Sequence, residues 1–159
     1  MAGFNIRVYG ILLTPNKEIL VADELIRGAY FTKFPGGGLE FGEGTRDCLK
    51  REFKEEMNLE VKVTDHIYTT DFYQESVFKP GDQIISIYYF VEALEPVQVP
   101  VRTASEPFEA GNMQQYFAEG QSESFRYISL DTFSAEDVTL PIDKIVSTMV
   151  KQGYLEGKW

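Results

Sequence analysis

Hydrophobic and polar positions alternate loosely from Phe4 to Leu13, a stretch rich in β-formers that predicts a first strand. Pro15-Asn16-Lys17 reads as a turn, and Glu18 to Leu25 returns as a second strand. Arg27 to Phe34 is expected to be a loop, and Pro35-Gly36-Gly37-Gly38 is expected to break regular structure altogether. From Thr45 to Met57 the period becomes helical, with Leu49, Phe53 and Met57 four residues apart on one apolar stripe. Leu59–Val63 and Ile67–Tyr73 read as one long bent strand or two short ones. Gln83–Leu94 carries the strongest strand signal, and Phe125–Leu130 forms a last short strand. Glu95–Ser122 is irregular, and Pro141 suits the first turn of a closing helix that runs to about Lys151. The expected product is an α+β domain over residues 1–159, a mixed central sheet with helices on its faces.

Composition narrows the partners. A net charge of −10, from 25 acidic against 15 basic residues with no basic run, argues against nucleic-acid polymers, which demand clustered Lys and Arg. No apolar run approaches the roughly 20 residues that span a bilayer, so no membrane association is expected. No secretory signal pattern opens the chain, and the single cysteine, Cys48, forms no internal disulfide; both favour a cytoplasmic setting. A small phosphorylated ligand stays compatible with the acidity, because a bound divalent cation reverses the local sign of charge.

The chemistry concentrates between Gly37 and Leu59. Glu52, Glu55 and Glu56 stand at i, i+3 and i+4, which places three mutually repelling carboxylates on one helix face. Such a face becomes reasonable when a hard cation sits among its oxygens. The stripe of Leu49, Phe53 and Met57 on the other side anchors the helix. A carbonyl of the glycine run, at Gly36, is a further candidate metal ligand. Glu43 and Arg51 complete the group, and Arg51 can hold a carboxylate in a bidentate fork.

In register, Gly37, Glu43, Arg51, Glu52, Phe53, Glu55, Glu56 and Leu59 fall on the Nudix box, G-x5-E-x7-R-E-U-x-E-E-x-G-U, where U is a bulky apolar residue. Six exact positions coincide by chance on the order of 10⁻⁸ per window, so an ordinary acidic helix face does not account for them. The one departure is Asn58 in place of the last glycine; Asn is the next best residue for the left-handed helix end that glycine supplies. The strand pair before the box, the long strand after it, Phe125–Leu130 and the terminal helix also resemble the Nudix α/β/α sandwich.

This resemblance implies a metal-dependent pyrophosphohydrolase that cleaves a phosphoanhydride bond in a nucleotide, ADP-ribose or nucleotide-sugar class of substrate. It implies Mg²⁺, with Mn²⁺ as a substitute, held by Glu52, Glu55 and Glu56 with the Gly36 carbonyl, and oriented by Arg51 and Glu43. The general base is Glu52 or an acid of a later segment, with Glu123 the first of these and Glu106, Glu109 and Glu119 also open. Arg27, Lys33, Arg102 and Arg126 are candidate phosphate contacts. Phe31, with Tyr30, Phe72, Tyr73, Tyr116 and Phe117, is a candidate for stacking on a base. The Tyr154–Trp159 tail and the irregular segment leave room for a homodimer. A Nudix-like ligand sensor is the non-enzymatic alternative, and the intact acid set favours catalysis over it. A catalytic-cysteine isomerase is disfavoured, because Cys48 lies within the box helix.

Overall fold

The structure, a computed structural model, describes residues 2–103 and 121–159. Along the chain run β1 (Phe4–Leu12), β2 (Glu18–Ile26), β3 (Ala29–Lys33), β4 (Gly36–Gly38), α1 (Thr45–Met57), β5 (Val61–Thr69), β6 (Gln83–Ala93), β7 (Val101–Arg102), β8 (Gln121–Ser129) and α2 (Pro141–Leu155). The class is α+β, with mixed sheets and, among the described residues, two long helices. The strands divide between two four-stranded sheets, and the chain between two compact units.

The first unit comprises Met1–Leu12 and Pro35–Gln98. Its sheet runs β4-β1-β6-β5, with β1 parallel to β6 and antiparallel to β4. The apolar halves of β1 and β6 supply Val8, Ile11, Leu12, Tyr88 and Val91 to the core. Helix α1 buries Cys48, Leu49, Phe53 and Met57, as its stripe predicts. It ends on Asn58, whose φ of 50° and ψ of 40° place it in the left-handed region and whose N–H reaches the carbonyl of Lys54. Asn therefore does the work expected of the missing box glycine. β5 is a single strand whose pairing with β6 shifts between Val63 and His66 and again between His66 and Tyr68, so the bent-strand reading holds and the strand stops at Thr69.

Two expectations of irregular backbone are corrected. Gly36–Gly38 is a strand, paired through Arg7↔Gly38, Val8↔Gly37 and Tyr9↔Gly36. Glycine has little intrinsic preference for strands, but here the partner edge of β1 supplies the hydrogen bonds. Ala29–Lys33 is likewise a strand, joined to β2 by a two-residue turn at Arg27 and Gly28 with φ of 51° and 81°. Positive φ at both central positions marks a type I′ hairpin turn, which normally advertises itself as Asn-Gly or Asp-Gly; Arg-Gly hides that signal.

The second unit comprises Leu13–Phe34 and Val99–Trp159, with strand order β3-β2-β8-β7. Two corrections fall here too. β8 starts at Gln121, four residues before the predicted Phe125, and Val101–Arg102 pairs parallel with it inside a segment expected to be irregular. Pro141 opens α2, which buries Ile142, Val146 and Val150 and continues past the predicted end to Leu155.

Candidate active site

In the first unit, the helix period brings the acidic face of α1 over the glycine strand β4. The Glu52 carboxylate lies directly against Gly37: a Cβ built there would stand 2.4 Å from its Cδ and 2.5 and 2.6 Å from its two oxygens. Only a residue without a side chain leaves that space. Gly36 is held differently. With φ of 152° and a virtual Cβ 2.1 Å from the Val8 carbonyl oxygen, it is demanded by the backbone itself.

Arg51 organises the carboxylates. Its Nε and Nη2 donate to the two oxygens of Glu43 at 3.0 and 2.8 Å, a fork-to-fork pair. Its Nη1 donates to Glu52 at 2.9 Å and Glu55 at 3.2 Å, and Nη2 also reaches the Gly38 carbonyl at 3.1 Å. The hydrogen bond from Arg51, then the backbone N–H of Glu40, hold the Glu43 carboxyl down at about 2. The same contact with Glu43 raises the Arg51 guanidinium further above its ordinary value. Burial, then Glu43, push the Cys48 thiol up to about 12, so it is no nucleophile at neutral pH. His66 has a structural role: its Nε2 bonds the Thr69 hydroxyl at 2.8 Å and its ring meets the edge of Tyr89.

The predicted group Glu43, Arg51, Glu52, Glu55, Glu56 and Gly36 thus falls within one unit, on α1, the loop before it and β4. Among the described residues no three His, Cys, Asp or Glu side chains converge as a preformed metal cage, and Arg51 instead draws Glu52 and Glu55 toward itself. The donor chemistry nevertheless fits a hard divalent cation, being carboxylate and carbonyl oxygen throughout.

Sequence reasoning missed Arg7. From β1 its guanidinium reaches Gly38, with Nη1 3.7 Å from the virtual Cβ of the same glycine whose carbonyl accepts from Arg51. Burial alone would lower its pKa, but Tyr9, then Glu52 and Glu56, outweigh that and leave it raised. The signal in sequence was faint: a lone arginine in an apolar strand.

The remaining predicted residues belong to the second unit. Lys33 is tied to Glu24 at 2.9 Å. Phe31 and Glu123 pair across Glu24 from either side, so strand register puts Phe31, Lys33, Glu24 and Glu123 on one face of the sheet. Glu123 sits inside β8 and is exposed, whereas the sequence placed it before the last strand. Arg27 occupies the exposed hairpin turn. The opposite face carries a network that the sequence did not suggest. Asp23, at 0% exposure, accepts from Arg126 Nε and Nη2 at 2.9 and 3.1 Å, from Arg102 at 2.9 Å and from the Thr32 hydroxyl at 2.7 Å. Arg102 and Arg126, candidate phosphate contacts by sequence, therefore serve a buried carboxylate. Phe72 and Tyr73 are exposed on the first unit. Glu106, Glu109, Glu119, Tyr116 and Phe117 lie outside the described residues.

A family model described as NUDIX domain matches residues 3–146. No curated protein matches the chain. Among solved structures, the MutT protein from Methanosarcina mazei Go1 is similar with a TM-score of 0.64 at 17% identity, over 99% of this chain and 98% of that one. A NUDIX hydrolase from Nitrosomonas europaea aligns with a TM-score of 0.63 at 16% identity, over 97% and 90%. An ADP-ribose pyrophosphatase from Streptococcus suis 89-1591 aligns with a TM-score of 0.56 at 17% identity, over 97% and 91%. At these identities the likeness is one of fold.

Proposed function

This chain belongs to the NUDIX domain family, and from that premise we propose that it is a pyrophosphohydrolase. Its substrate is a nucleoside diphosphate linked to a further group, of the nucleotide, ADP-ribose or nucleotide-sugar class. The observation that carries the reading is the Glu52 carboxylate seated on Gly37 and gripped by an Arg51 that is itself locked to Glu43. Nothing in helix stability calls for three carboxylates, a guanidinium and a side-chain-free strand in one place. One protein of similar fold, from S. suis, is named an ADP-ribose pyrophosphatase, which supports that substrate class.

Glu52, Glu55 and Glu56 would hold a divalent cation, Mg²⁺ with Mn²⁺ as substitute, together with the Gly36 carbonyl. When bound, the cation lowers the pKa of the attacking water and offsets charge on the transferring phosphoryl group. Glu52 serves as the general base: it takes a proton from the water as the water oxygen bonds to phosphorus. The bridging P–O bond breaks, and its electron pair leaves on the second phosphate. Arg51 and Glu43 keep Glu52 aimed, as partners behind the metal ligands commonly do. None of the described helices is long and apolar enough to cross a membrane; a single-domain cytoplasmic enzyme over residues 1–159 is the reading that accords with the one free cysteine.

The test is a phosphate-release screen over nucleotides and nucleotide sugars with Mg²⁺ or Mn²⁺ and with excess chelator. Turnover of one substrate class that chelator abolishes, and that Glu56→Gln reduces by about 10²-fold or more, is the expected outcome. No turnover of any substrate, with tight binding of one of them by the folded protein, would overturn the hydrolase and leave the sensor.

A further inference from the structure

We infer that Arg7 is a substrate-binding residue of this same site, gripping the diphosphate that Glu52 and Glu56 help to cleave; the inference rests on the pyrophosphohydrolase reading. Arg7 pairs with Gly38 across the β1–β4 ladder, and the carbonyl of that same glycine accepts from Arg51 Nη2 at 3.1 Å, so the two guanidinium groups meet at one residue of the edge strand. Its Nε donates to the Tyr9 hydroxyl at 2.7 Å, and its guanidinium carbon stands 5.7 Å from the Tyr9 ring centroid. Tyr9 is itself 3% exposed and packed on Tyr88, with ring centroids 5.4 Å apart. The side chain is thus pinned at one nitrogen by a rigid support.

Its other two nitrogens are uncommitted. Among the described residues no acceptor takes a hydrogen bond from Nη1 or Nη2 of Arg7, and no carboxylate comes within 4 Å to pair with it. The neighbouring Arg51 spends every nitrogen on glutamates and a carbonyl. One guanidinium therefore builds the acid cluster, while the other keeps a planar pair of donors open beside it. A guanidinium edge matches two oxygens of a phosphate in parallel, which a lysine cannot reproduce. Glycine at position 38 leaves out the side chain that would otherwise stand 3.7 Å from Arg7 Nη1, in the space such a ligand would take. A cation placed so close to candidate metal ligands works against metal binding by charge alone. It is reasonable there if a substrate anion completes the charge balance.

The test separates this role from a structural one, and from failure of the parent reading, by using probes that need no knowledge of the substrate. Mn²⁺ binding is measured by electron paramagnetic resonance. Binding of methylenediphosphonate, a non-hydrolysable diphosphate, is measured by calorimetry at saturating Mn²⁺. In Arg7→Met, diphosphonate binding is expected to weaken at least about 10-fold while Mn²⁺ binds as well as before or more tightly. Arg7→Lys should fall between, and Tyr9→Phe, which keeps the charge but loses the pin, should weaken diphosphonate binding by a smaller factor. Unchanged diphosphonate affinity in a folded Arg7→Met overturns the inference and leaves the hydrolase standing. So does a loss fully matched by lost Mn²⁺ affinity. A wild-type protein that binds neither probe removes the metal-dependent site itself, and the inference with it.

Discussion

Replacing Gly37 with alanine isolates the placement of one carboxylate. The new Cβ would stand 2.4 Å from Cδ of Glu52, and ordinary contact begins at 3.4 Å, so the carboxylate must retreat by about 1 Å. That retreat stretches the 2.9 Å bond from Arg51 Nη1 beyond hydrogen-bonding range unless Arg51 follows, and Arg51 is held by Glu43. The obstacle is the end of a flexible side chain, and Gly37 is not in the left-handed region, so the fold itself has little reason to fail. Stability should change by no more than about 1 kcal/mol. Activity should drop far more, since misplacing a reacting group by about 1 Å costs roughly 10²-fold. Gly36→Ala is the control of opposite kind: its Cβ would strike the Val8 carbonyl oxygen at 2.1 Å and the Tyr9 Cα at 2.8 Å, from a φ that alanine avoids. It should destabilise on the order of 3 kcal/mol. The assay is kcat/KM on the best substrate of the screen alongside thermal unfolding. A Gly37→Ala protein with activity within about threefold of wild type would refute the placement argument, as would one that loses activity only through unfolding.

Two further outcomes are expected. Asp23→Ala leaves the buried Arg126 guanidinium without its counter-charge and should destabilise the fold by about 3–5 kcal/mol; a loss under about 1 kcal/mol in denaturant unfolding would show that the network is dispensable. Glu43 titrates near 2 instead of its ordinary 4.5, so its contribution to stability is complete above about pH 4.5 and is lost as pH falls from there toward 2. Carbon-detected NMR should place the Glu43 midpoint near 2 and return it toward 4.5 in Arg51→Gln; a wild-type midpoint near 4 contradicts the clamp.

The site's ligand face was legible because a helix converts spacing directly into geometry. Once Leu49, Phe53 and Met57 must be buried, Glu52, Glu55 and Glu56 have one remaining direction to point, and Asn58 is suited to end the helix where it does. Strands β1, β6 and α2 were legible for the same reason, since their apolar periods outweigh their surroundings. Weak local signals misled. The glycine strand β4 and the Arg-Gly hairpin read as irregular because their pairing is supplied by β1 and β2, residues distant in sequence. Arg102 and Arg126 read as available cations because a sequence cannot say that Asp23, 79 and 103 residues away respectively, lies buried between them. Burial decides whether a charge is spent on the fold or left for a ligand, and burial is a property of the packed molecule. By itself the sequence determined the family, the α+β class and the acid-bearing helix. The tertiary structure decided that Gly37 is the seat of Glu52, that Arg102 and Arg126 belong to the fold, and that Arg7 stands open beside the carboxylates, because each depends on which strands meet across a ladder.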